Sequence, residues 1–129
     1  MPPPPAKSLS VYNGLGTWID VYDWSVTYGK DGALVDPAAV DAMAHAGVQT
    51  LYVQTSKWDA PTDILEPERL LPIIKRARED HLRVVAWYLP HLTDLVRDRA
   101  RVRDALTFTT ARGNGFDGFA LDIESDAVA

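Results

Sequence analysis

Phe116-Asp117-Gly118-Phe119-Ala120-Leu121-Asp122-Ile123-Glu124-Ser125 decides the reading of the fold. Side chains reverse at each residue of a strand, so Phe119, Leu121 and Ile123 fall on one side and Gly118, Ala120, Asp122 and Glu124 on the other. The large apolar side suits a cover of helices. The opposite side begins small and turns acidic toward the C-terminal end, as the interior of a parallel β/α barrel requires, because its sites open at that end. Asp122 and Glu124 are therefore expected to point into a barrel mouth.

Three earlier stretches share this grammar: Thr17-Trp18-Ile19-Asp20-Val21-Tyr22, Thr50-Leu51-Tyr52-Val53-Gln54-Thr55 and Val84-Val85-Ala86-Trp87-Tyr88-Leu89. β-Branched and aromatic residues dominate each. With Ile19, Leu51, Val85 and Phe119 as centres the spacings are 32, 34 and 34 residues, close to the roughly 30 residues of a βαβ unit. A regular strand–helix repeat follows.

The intervening segments carry helix signals. Asp36 is placed as N-cap, Pro37 as first helical residue, Val40, Met43 and Ala44 on the inner stripe, and Gly47 as C-cap. A second helix is predicted over 67–80, with Leu70, Ile73, Ile74 and Ala77 forming the stripe. Pro72 predicts a separate first turn or a kink, since an interior proline loses one backbone bond. The third helix is predicted over 93–106, with Leu95, Val102 and Leu106 inward and Arg97, Asp98, Arg101, Arg103 and Asp104 in solvent. Ala111-Arg112-Gly113-Asn114-Gly115 is read as the turn into the fourth strand.

A doubly wound sheet would present a glycine-rich phosphate turn after its first strand; Asp20-Val21-Tyr22-Asp23-Trp24-Ser25 is aromatic and acidic instead. The fold class predicted is α/β, the N-terminal (β/α)4 half of a TIM-type barrel with parallel strands, truncated after strand 4. Residues 1–10 form a Pro-rich leader, either a polyproline spacer or a disordered start, and residues 11–129 the half-barrel. Barrels of this kind need about 250 residues, so the half on its own would leave the edges of its first and fourth strands exposed.

Composition narrows the function classes. A net charge of −5 over 129 residues offers no basic footprint for nucleic acid. Cysteine is absent, which removes disulfides, thiolate metal sites and cysteine nucleophiles. No apolar run reaches the roughly 20 residues of a membrane span, and the start of the chain lacks the pattern of a signal peptide.

Strand alternation brings Trp18, Asp20 and Tyr22 from the first strand, Tyr52, Gln54 and Ser56 from the second, Ala86 and Tyr88 from the third, and Asp122 and Glu124 from the fourth to the inner face. Aromatic rings among amides, hydroxyls and carboxylates suit a sugar, and paired carboxylates supply the acid and base of glycoside hydrolysis. Glu124 and Asp122 are the catalytic candidates; Asp20, Trp18, Trp24, Gln54 and Tyr88 are the substrate-binding candidates. Asp23 is placed as a cap of the turn after the first strand, and Trp24 and Trp58 as platforms in loops. An alternative gives Asp20, Asp122 and Glu124 to a hard cation such as Mg²⁺ or Ca²⁺, and another leaves the two terminal carboxylates as a merely soluble rim. No metal or cofactor is predicted.

Asp117-Gly118-Phe119-Ala120-Leu121-Asp122-Ile123-Glu124 resembles the fourth-strand signature DGxDxDxE of family 18 glycoside hydrolases, the chitinase-like barrels. The resemblance implies Glu124 as general acid and Asp122 as the residue orienting an acetamido group that acts as nucleophile; Ala120 stands where that family has its middle aspartate. Trp18-Ile19-Asp20-Val21 and Leu121-Asp122-Ile123-Glu124 are similar to the first- and fourth-strand ends of family 25 muramidases. Both resemblances imply hydrolysis of O-glycosidic bonds in a polysaccharide or glycan, by a barrel that a second half completes, and, with the Pro-rich leader, an exported parent protein. The alternative is a non-catalytic carbohydrate-binding or structural half-barrel that forms a homodimer through its exposed strand edges.

Overall fold

A computed structural model describes residues 9–30, 32, 34–109 and 115–124. The prolines of the leader and residues 111–114 of the turn before the fourth strand lie outside these. A 3-10 turn, Ser10–Tyr12, is followed by β1 (Gly16–Ile19), two short helices α1 (Val21–Trp24) and α2 (Val26–Gly29), α3 (Pro37–His45), β2 (Thr50–Lys57), α4 (Pro67–Glu79), β3 (Arg83–Leu89), α5 (Leu95–Thr107) and β4 (Gly118–Leu121). All four strands are parallel, in the order β1-β2-β3-β4. The chain is thus α/β, with helices alternating with the strands of one sequential parallel sheet.

Local chemistry sets the ends. Asp36 caps α3 through a 2.9 Å bond from Ala39 N–H to its carboxylate, with Pro37 in the first turn. The helix closes one residue earlier than its glycine, with Ala46 as cap and Gly47 taking the left-handed φ of 95° that turns the chain away. Helix α4 runs unbroken through Pro72, so the proline does not set off a separate first turn. Its apolar stripe of Leu70, Ile73, Ile74 and Ala77 is buried as predicted.

The core lies between sheet and helices, built from Ile19, Val21, Trp24, Val40, Leu51, Val53, the α4 stripe and Val84. The other sheet face holds a second, smaller cluster of Tyr52, Val85 and Trp87, against which Val11, Leu89 and Ala120 pack. Across the strands Trp18 aligns with Tyr52, Tyr52 with Val85 and Val85 with Gly118. That register corrects the third strand: Val85, Trp87 and Leu89, not Ala86 and Tyr88, share the face of Trp18 and Tyr52. The run from Val84 to Leu89 is apolar on both sides, as parallel strands are, so alternation in the sequence could not fix its phase.

In α5 the inner and outer faces differ from expectation. Asp98, Arg101 and Ala105 are buried, whereas Leu95 and Leu106 are exposed. No helix among the described residues is long and apolar enough to cross a membrane.

Candidate functional site

The face away from the helices has an aromatic floor. The Trp18 indole lies flat on the Tyr52 ring, with centroids 4.2 Å apart and planes 3° from parallel, and Trp87 meets it at 5.6 Å and 60°. Trp87 is fixed by its own indole N–H, which donates to Ile19 O at 3.1 Å. Trp18 remains 54% exposed, so the stack presents one open indole face braced from beneath.

At the end of β1 the predicted site residues take structural work. The strand stops at Ile19 because Asp20 caps α1: its carboxylate accepts from Tyr22 N–H at 2.9 Å and Asp23 N–H at 3.0 Å, and Asp23 returns a 2.8 Å bond to Asp20 N–H. The cap is therefore Asp20, reciprocated by Asp23, where Asp20 had been expected to point inward from a strand and Asp23 to cap. Partial burial and then the Asp23 carboxylate push the Asp20 carboxyl above its ordinary range, against the pull of the two N–H donors.

Trp24 is 0% exposed and donates its indole N–H to Gln54 O at 2.9 Å. It is core, which corrects its reading as an open platform. Gln54 is buried as well, and its side-chain carbonyl accepts from Val21 N–H at 2.9 Å. Gln54 thus anchors α1 to β2, leaving its amide oxygen engaged in the fold.

A bulge decides what β2 presents at its C-terminal end. Gln54 aligns with Trp87 but Ser56 aligns with Tyr88, so Thr55 is the extra residue, and beyond a bulge the side-chain phase reverses. Ser56 turns to donate to Thr62 O at 3.1 Å, correcting its inward placement, and Lys57 takes the rim instead. The Lys57 ammonium pairs with Asp59 at 2.8 Å and lies 5.0 Å from the Trp58 ring, 5.1 Å from Tyr28 and 6.0 Å from Tyr22. Such enclosure by π-faces favours a cation. Asp59 also accepts from the Tyr28 hydroxyl at 2.9 Å; burial raises its carboxyl, and the bonds from Lys57 and Tyr28 outweigh that and hold it below the ordinary range. The half-exposed Trp58 completes the rim by packing against His91 at 4.6 Å. Lys57 was missed because a bulge leaves no mark in a run of strand-forming residues.

Tyr88 belongs to the other face. It is fully buried and donates to the Asp98 carboxylate of α5 at 2.6 Å, which removes it from the substrate-binding candidates. Burial, followed by its hydrogen bond to Asp98, pushes its phenol well up. Beside it Arg101, 2% exposed, reaches Lys57 O and, at 2.5 Å, Ala60 O. Helix α5 therefore grips the loop that carries Lys57, Trp58 and Asp59.

Asp122 and Glu124 follow β4. Asp122 donates its N–H to Tyr88 O at 3.0 Å, continuing the ladder one residue past the strand, and its side chain is half-buried while Glu124 is exposed. Among the described residues no three His, Asp or Glu side chains converge to hold a metal ion, so Asp20, Asp122 and Glu124 do not form the oxygen set considered for Mg²⁺ or Ca²⁺. Comparisons of the chain with family models, with curated proteins and with solved structures give no match.

Proposed function

We propose that this chain is a glycoside-hydrolase-like unit that binds a glycan on its aromatic floor and, in a completed barrel, cleaves an O-glycosidic bond with Glu124 as general acid and Asp122 as its partner. The observation that carries this reading is the Trp18 indole, open on one side and held flat by Tyr52 and Trp87 on the other. A rigid apolar plane costs little entropy to use and matches the C–H face of a sugar ring. Strand alternation continued past β4 would aim Asp122 and Glu124 toward the side of Ala120, which packs on the same aromatic cluster.

The chemistry assigned to Glu124 is protonation of the leaving oxygen while the bond to the anomeric carbon breaks. By the family 18 resemblance, the substrate's acetamido oxygen would attack that carbon with Asp122 orienting it. Glu124 is exposed, whereas cleavage needs a closed site that excludes water from the sugar and its acid; this unit by itself therefore supports a second reading, carbohydrate binding without turnover.

Calorimetric titration with chitin and peptidoglycan oligosaccharides, alongside a reducing-sugar assay, separates the two. Trp18→Ala is expected to weaken binding roughly tenfold, the value of one aromatic contact of about 1–1.5 kcal/mol. Unchanged affinity in that variant removes the aromatic floor from the reading. In a completed barrel Glu124→Gln is expected to retain binding and abolish hydrolysis; if a measured rate survives in this variant, the catalytic assignment goes and the binding reading stands.

A further inference from the structure

The 3-10 turn ahead of β1 crosses the N-terminal end of the sheet and is held there by polar bonds. Arg83 of β3 donates to Ser10 O and, at 2.6 Å, to Asn13 O, while the Thr50 hydroxyl of β2 donates to Val11 O at 3.0 Å. Anchored on the two central strands, the turn extends Tyr12 to the far strand. Its hydroxyl donates to Phe119 O at 3.4 Å and accepts from Phe119 N–H at 3.3 Å.

Those two groups belong to the outer edge of β4, which no other strand pairs among the described residues. Asp122 N–H bonds to Tyr88 O of β3, and alternate residues of a parallel strand turn their N–H and C=O to the same side. Phe119, an odd number of residues away, directs its own pair outward. A free edge is a template for a further strand, and Tyr12 occupies it at the middle of a four-residue strand. Gly118 permits this approach: a Cβ there would fall 2.5 Å from the Tyr12 hydroxyl oxygen and 3.0 Å from Cζ.

We propose that the 3-10 turn is a latch on the sheet: while Tyr12 holds Phe119, β4 takes no further strand, and on release it takes β1 of a second copy. Strand β1 is the complementary edge, parallel and also four residues long. A two-fold axis pairing β4 with the partner's β1, and β1 with the partner's β4, gives eight parallel strands and leaves no edge free. Both bonds of the latch are long and Tyr12 is partly exposed, so the latch is weak enough to open reversibly. The proposal is independent of any glycan chemistry.

Sedimentation of the full chain over a wide concentration range tests it, with Tyr12→Phe and Gly118→Ala beside the wild type. Tyr12→Phe keeps the ring over Gly118 and removes only the hydroxyl; Gly118→Ala displaces the ring. A monomeric wild type and a self-association midpoint shifted roughly tenfold or more to lower concentration in both variants is the expected result, since two hydrogen bonds no longer compete. Sedimentation of both variants indistinguishable from the wild type overturns the latch. Hydrogen exchange in dilute samples keeps the test independent of dimer strength: the Phe119 amide is expected to exchange at least severalfold faster in Tyr12→Phe, and unchanged protection there overturns the proposal too.

Discussion

Glu66 precedes α4 with a left-handed backbone, φ 40° and ψ 62°, a conformation that a non-glycine residue adopts at a cost of about 1–3 kcal/mol. What holds it there is the start of another helix. Its carboxylate oxygens accept from Val26 N–H at 2.9 Å and Thr27 N–H at 3.0 Å, the first amides of α2. Partial burial raises the Glu66 carboxyl, but the Thr27 and Val26 donors outweigh it and hold the group below its ordinary range. A carboxyl lowered by folding stabilises above its unfolded pKa and loses that contribution as pH falls through the folded value. Glu66→Gln is therefore expected to destabilise the protein at neutral pH, with the gap to wild type closing only in acid, as pH falls below the ordinary carboxylate range. Urea denaturation at neutral and acid pH measures it; a gap independent of pH means that the charge is not what the two amides recognise.

At the scale of elements, α5 joins two loops by burying the charges that its sequence pattern assigned to solvent. Leu95, Val102 and Leu106 make a plausible apolar stripe, but the unpaired groups waiting above the sheet were a tyrosine hydroxyl and two carbonyls. Asp98 and Arg101 satisfy these, and a buried carbonyl left unpaired costs about 1–3 kcal/mol. Arg101→Ala is accordingly expected to lower stability by about 2–5 kcal/mol through Lys57 O and Ala60 O, and Arg103→Ala, exposed on the same helix, by less than about 0.5 kcal/mol. Equal effects of the two in chemical denaturation would return Arg101 to the solvent face. What could be read from the sequence was what depends on neighbours in the chain: four strands at regular spacing, Asp36 with Pro37, the α4 stripe, and Ala120 on the inner face of β4. The rest depends on partners distant in sequence. The bulge at Thr55 exchanged Ser56 for Lys57, register alone fixed the phase of β3, and Trp24 found its hydrogen bond 30 residues away, on Gln54. Of the site candidates, only Trp18 among the binding residues combines an inner face with an open ring.

Across the whole molecule, stability is graded from the centre of the sheet to its edges. Every residue of β2 is buried, as are the five central residues of β3, whereas β4 is four residues long and half-buried to exposed throughout. Both apolar clusters, the large one and the small, lean on the central pair, so opening β2 or β3 exposes most of the apolar surface that drives folding. Detaching β4 exposes little beyond Phe119, Ala120 and Leu121. Amides at the centre should then exchange only through global unfolding, which costs about 5–15 kcal/mol in a typical domain, while β4 amides exchange through local openings at the low end of the scale. Native-state exchange in rising denaturant distinguishes the regimes by slope: β2 and β3 are expected to track the global unfolding line steeply, and Asp122, bonded to Tyr88 O, to show a shallow dependence until it merges with them. If Asp122 and the β4 amides lay on the global line from the start, strand four would be an integral part of the core, and an edge free to exchange partners would have no physical basis.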